Sequence, residues 1–227
     1  LKLLIRIIAL AAQAAPLILF FVYYKKINKL IELKVIFFYA LLSLISIFAL
    51  TFSSSAKTYG ASILSISAIL EFIFFAIILI CSVQNKKYKN LITIVSFLNL
   101  LFELSIFFFH SNNFDFWATL NNTILILIFS IFYFFEQVNS PETLLIYQSY
   151  KFWIIVGCIV YLSGTLFVFL YTSNMEDKVH NILWDINIAF EIIKNICFSI
   201  AFIVAQNNKQ NIITSDLDDT NMFEKPF

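Results

Sequence analysis

Four ionisable side chains stand where hydrocarbon would be expected: Glu71, Glu103, Glu191 and Lys194 each lie well inside a long apolar run. A fifth, Asp185, falls nearer the start of its run. A charge at the bilayer centre costs at least about 2.5–3.5 kcal/mol, so such groups face the interior of a helix bundle and find partners there. Helical spacing groups them further. Asn187, Glu191, Lys194 and Asn195 follow i, i+4, i+7, i+8 on one face, and Asn99 and Glu103 are i, i+4 on another helix. Two chemistries fit this pattern. One is a polar cluster that satisfies itself and specifies how helices pack. The other is a ligand-, proton- or ion-responsive site near mid-membrane. In both, Lys194 is expected to point into the bundle and pair with Glu71, Glu103 or Glu191, the last being within reach at i, i+3.

A second pattern lies one helix earlier. Gly157, Tyr161 and Gly164 fall at i, i+4 and i+7, with Ser163 and Thr165 alongside. Small residues on one face let another helix approach closely, so helix packing is the expected role of Gly157 and Gly164. Tyr161 in that groove needs a hydrogen-bond partner, and Glu71 and Lys194 are the candidates.

These residues require membrane helices to hold them. Of the 227 residues 61% are hydrophobic and 13% charged, the mean hydropathy is +0.88, and there are 28 Phe and 10 Tyr. A water-soluble domain of this size has no means of hiding so much apolar surface. Apolar stretches at about 5–23, 35–52, 61–82, 91–109, 117–136, 151–172 and 182–205 are each long enough to cross a hydrocarbon core of about 30 Å. The expectation is an all-α integral membrane protein, a seven-transmembrane-helix bundle over residues 1–205. Ala11, Ala12, Ala14 and Ala15 resemble a signal-peptidase site, but the apolar run continues through Pro16 to Tyr23, which favours a retained first helix kinked at Pro16. Beyond Gln206 the composition turns polar, and residues 206–227 read as a disordered cytoplasmic tail.

Basic residues alternate between the loops. Lys25, Lys26, Lys29, Lys34, Lys86, Lys87, Lys89, Lys151, Lys209 and Lys225 share one side, ten of the fifteen Lys and Arg. Lys2, Arg6, Lys57 and Lys178 share the other. The positive-inside rule then places the N-terminus outside and the C-terminus in the cytoplasm. Trp117, Trp153 and Trp184 each open a span, as interfacial anchors do. Ser140-Pro141-Glu142 starts a segment, Thr143 to Tyr147, that reads as a short interfacial helix.

The motifs for catalysis are missing. Cys81, Cys158 and Cys197 have no C-x-x-C spacing and read as small apolar packers. His110 and His180 sit at span ends, which leaves no paired axial ligands for a membrane haem. No H-E-x-x-H, G-x-S-x-G or P-loop occurs, and three Gly are too few for a phosphate-cradling loop. No enzyme, cofactor, metal or nucleic-acid partner is expected, and the net charge of +1 agrees with the last. Lys194 midway along the seventh span is placed like the Schiff-base lysine of microbial rhodopsins. Span three, however, carries Glu71 alone, without the Arg and further carboxylates of those proteins.

Ala68-Ile69-Leu70-Glu71-Phe72, Lys151-Phe152-Trp153-Ile154, Tyr161-Leu162-Ser163-Gly164-Thr165-Leu166-Phe167 and Ile193-Lys194-Asn195-Ile196 carry a resemblance over nearly the whole chain. The sequence resembles an uncharacterised seven-helix integral membrane family of Bacteroidota-type bacteria, often found beside sensor histidine kinases. The resemblance implies a sensory or accessory role in membrane signalling, with a cytoplasmic or membrane partner such as a histidine kinase. It carries no catalytic residues. A small transporter or channel, and a structural subunit of a membrane complex, are the alternatives.

Overall fold

A computed structural model describes residues 2–52, 56–109, 114–139, 146–172 and 177–222. The described residues are helical throughout: α1 (Lys2–Ile27), α2 (Ile31–Phe52), α3 (Ala56–Ser82), α4 (Lys86–Phe109), α5 (Phe114–Asn139), α6 (Tyr150–Thr172) and α7 (Asp177–Met222). In lipid no water can satisfy an exposed N–H or C=O, so these apolar stretches close their hydrogen bonds within each helix. By length and composition six of them can cross a membrane: Ile7–Ile27, Ile31–Phe48, Lys86–Ile106, Ala118–Asn139, Tyr150–Val168 and Asp185–Asn207. In α3, Ile66–Ser82 is the apolar stretch among the residues whose side chains are described. The protein is thus an all-helical bundle with the make-up of a multi-pass membrane protein.

α6 and α7 form the most extensive helix pair, and α1 also packs on α7. α3 is central, touching α2, α4, α5 and α6. Phe72, Phe75, Ile126, Phe129, Phe198 and Phe202 fill the middle of the bundle. The outward faces are apolar too: Ile94, Phe97, Leu98, Leu101 and Phe102 of α4 are all exposed, the pattern of a helix bathed in lipid. α1 continues through Pro16 without a break in the helix, and the Pro is buried.

Several elements differ from the sequence expectation. α2 begins at Ile31 rather than near 35, which moves Tyr39 two turns into its helix. α7 does not end at Gln206: its backbone stays helical to Met222, so the polar segment begins as a continuation of the helix. Propagating a formed helix adds one hydrogen bond per residue without a new nucleus, and a polar composition does not prevent it. Of the expected interfacial helix, 140–145 lie outside the described residues, and a 3₁₀ turn occupies Ile146–Gln148. Trp153 Nε1 donates to the Tyr147 carbonyl oxygen at 2.8 Å and ties that turn to α6. His110 lies outside the described residues.

The α3–α4 turn is closed by polar side chains. Asn85 Oδ1 accepts from the Lys87 backbone N–H at 2.9 Å, an N-cap for α4. Glu136 of α5 accepts from the backbone N–H groups of Gln84, at 3.0 Å, and Asn85, at 2.7 Å. Asn85→Ala should therefore lower stability in detergent by about 1 kcal/mol. A thermal unfolding curve unchanged from wild type would show that this cap carries no stability.

Candidate functional site

Lys194 is the most unusual side chain in the bundle. It is 1% exposed, and its Nζ donates to the Tyr39 hydroxyl at 2.5 Å. The Tyr39 hydroxyl in turn donates to Glu71 Oε1 at 2.8 Å. Lys194 Nζ also stands 3.7 Å from the centroid of the Tyr161 ring and 4.8 Å from that of Tyr39. The ammonium is thus held by one phenol oxygen and two aromatic faces, a cation–π setting that strengthens when desolvated. Tyr161 interacts with the Glu71 carboxylate as well, so two phenols from α2 and α6 converge on one acid from α3.

The local sequence explains why α7 comes close enough. A Cβ on Gly157 would lie 2.9 Å from Cys197 Cβ and 3.3 Å from the Lys194 carbonyl oxygen. A Cβ on Gly164 would lie 2.1 Å from the Phe190 ring. Both glycines are buried, and each gives up its side-chain space to α7. The α6 groove therefore sets the depth at which Lys194 meets Tyr161.

The expected cluster is only partly one cluster. Glu71, Tyr161 and Lys194 do come together. Lys194, however, makes no direct ion pair with a carboxylate among the described residues; Tyr39 stands between it and Glu71. Glu191, half-buried one turn before Lys194, likewise forms no ion pair with it, although its charge acts on Tyr39, Tyr161 and Glu71. The i, i+3 spacing allows contact but does not impose it: Lys194 turns toward the phenols instead. Asn187 belongs to another link, its Oδ1 accepting from Thr165 Oγ1 at 3.0 Å.

Glu103 and Asn99 form a separate site with α5. Asn99 Nδ2 donates to Asn122 Oδ1 at 2.8 Å and, at 3.4 Å, to Glu103 Oε1, while Asn121 Nδ2 donates to Asn99 Oδ1. Glu103 is 0% exposed, its Oε2 has no hydrogen-bond partner, and Asn122 Nδ2 is likewise buried without one. Asn122 lies beside the Glu103 carboxylate, but these two atoms do not close a bond. Between the two sites is a cavity of about 40 Å³, bordered by Glu71, Asn122 and the threonines 119, 123 and 165. Ala68, Phe72, Phe75, Ile126 and Leu162 complete its wall.

A third polar group closes one end of the bundle, where α3 finishes and α2 and α6 begin. Lys151 Nζ is 3.1 Å from Glu32 Oε1, Tyr150 donates to Glu32 Oε2 at 3.3 Å, and Lys151 also donates to the Cys81 carbonyl oxygen at 3.3 Å. The three cysteines are free thiols, Cys158 and Cys197 packed in the interior. No group of His, Cys, Asp and Glu among the described residues is arranged to hold a metal ion.

Tyr39 is the residue that sequence reasoning missed. Its signal was a lone polar tip in an apolar run, masked because a start near 35 put it at the interface, where tyrosines are ordinary. Asn121 and Asn122 were missed because amides are common at helix contacts and have no spacing of their own, and Thr165 stands in the sequence only among the small residues beside the glycines.

No family model, curated protein or solved structure matches this chain. Geometry carries the functional reading.

Proposed function

We propose that this protein is a seven-span inner-membrane component of bacterial signalling, N-out and C-in, with α7 as its output element. The observation that carries this reading is the relay Lys194–Tyr39–Glu71, buried on a helix that continues past its apolar span, Asp185–Asn207, to Met222. A change of charge or hydrogen bonding at the relay acts on the seat of α7, and a continuous helix transmits that movement beyond the span. The polar end of α7 and the basic loops are then the surface offered to a partner such as a histidine kinase. In this reading α3 is the third span, supported by its central packing against α2, α4, α5 and α6.

Host cells carrying Lys194→Met, or a chain ending at Asn207, should show an altered transcript profile with the protein still folded in the membrane. Profiles identical to wild type in both strains would overturn the signalling reading. The cavity beside Glu71 favours a second reading, a small transporter or channel, which solute flux in proteoliposomes would reveal.

Orientation has its own test. The ten-to-four bias of Lys and Arg favours a cytoplasmic C-terminus. A reporter fused after Gln206 should be active as a cytoplasmic marker and silent as a periplasmic one. The opposite pattern would show the assigned orientation to be wrong.

A further inference from the structure

The cavity between the two polar sites is small and one-sided. Its volume of about 40 Å³ suits a few water molecules, far below the roughly 300–1,000 Å³ of sites for organic ligands. Its polar border combines an acid, Glu71, with Thr119, Thr123, Thr165 and Asn122. The amide chain is directional. Asn121 donates to Asn99 and Asn99 to Asn122, which uses Asn122 Oδ1 and leaves Nδ2 as a buried donor without a protein partner. Asn122 is only 7% exposed, and it links the cavity border to the Glu103 carboxylate beside it. A metal cation is disfavoured by Lys194, one phenol away from Glu71.

We propose that the cavity is a proton-entry site, and that proton binding at Glu71 releases the Tyr39–Lys194 link that seats α7. This deepens the signalling reading above and rests on α7 being the output element. The step is a simple transfer: a hydronium in the cavity gives its proton to a Glu71 carboxylate oxygen and leaves as water. No other reactant is needed. With Glu71 neutral, Tyr39 loses its charged acceptor and Lys194 loses the negative charge that balances it. The groups facing Glu71 are Tyr39 from α2, Tyr161 and Cys158 from α6, and Lys194 and Glu191 from α7. From α5 come the neutral Asn122 and threonines, with Glu103 of α4 behind Asn122. Of the nearby acids, Glu71 alone is linked through a hydrogen-bonded phenol to the buried cation. Acidification is thus expected to loosen α7, not to tighten it.

The test uses the full chain in proteoliposomes, with infrared difference spectra and amide hydrogen exchange corrected for its intrinsic pH dependence. Wild type should develop a protonated-carboxyl band on acidification, together with faster exchange around Lys194. Glu71→Gln should remove the part of that band that rises together with the faster exchange and should exchange rapidly at every pH. Glu103→Gln should remove only Glu103's own part of the band and keep the exchange response. Should Glu71→Gln fail to fold, Ala68→Leu fills the cavity without removing a charge and should delay deuteration of the band. The proposal is overturned if Glu71→Gln leaves the band unchanged, if Ala68→Leu leaves its deuteration unchanged, or if α7 protection in wild type is the same at all pH values. Failure of the signalling reading looks different: Glu71 titrates and α7 loosens, but removing the residues after Asn207 leaves the transcript profile unchanged.

Discussion

Replacing Lys194 with Met should cost about 3–5 kcal/mol, because it leaves the Glu71 carboxylate buried without its cation. Combining it with Glu71→Gln should recover most of that loss, since removing both charges of a buried pair can be nearly neutral. The intervening phenol makes the prediction sharper. Tyr39→Phe keeps the ring beside Lys194 but removes the oxygen that accepts from Nζ and donates to Glu71. Its cost should be about 1.5–3 kcal/mol, the range for hydrogen bonds to charged groups. Unfolding of the four proteins in detergent would measure the set. If Lys194→Met is as stable as wild type, or the double variant is no better than the single one, the relay is not a coupled unit. The orphaned carboxylate would take up a proton, which sets the lower end of the range.

The second large effect is expected at the α6–α7 contact. Gly164→Leu should destabilise by about 1–3 kcal/mol through overpacking, because even the first added carbon would stand 2.1 Å from the Phe190 ring. Gly157→Leu should fall in the same range and have a further consequence. Its nearest obstacles include the Lys194 carbonyl oxygen, part of a backbone that cannot swing aside as a side chain does. Pushing α7 away there should lift Lys194 off Tyr161 and uncouple the relay. The obstacle at Gly164 is a side chain, so Gly164→Ala should be destabilising alone and rescued by Phe190→Ala. Unchanged melting of both leucine variants would mean that the two helices do not rest on these glycines.

The two effects are connected. A glycine groove on α6 fixes how near α7 can lie, and that distance decides whether a lysine ammonium can use an aromatic face in place of water. In a medium without water, a cation held by a phenol and two rings is a balanced but sensitive arrangement. Any change in the acid at its far end must be absorbed by the helix that carries it.

Much of this was written in the sequence. Apolar runs of membrane length dictate helices, because lipid offers the backbone no other partner. Mid-run charges must turn inward, which marks Glu71, Glu103 and Lys194 before any coordinates are known. Glycines at i and i+7 mark the face of α6 that meets a neighbour. Spacing along one helix, however, carries no information about which other helix lies opposite. Only the packing of α2 and α3 against α6 and α7 decides that Tyr39 separates Lys194 from Glu71, and that Glu103 joins α5 amides instead. Helix ends follow the same division: a polar composition after Gln206 reads as the end of a span, yet helix propagation carries α7 to Met222. Periodicity along the chain settles which residues must be inside; contacts between distant parts of the chain settle which of them meet.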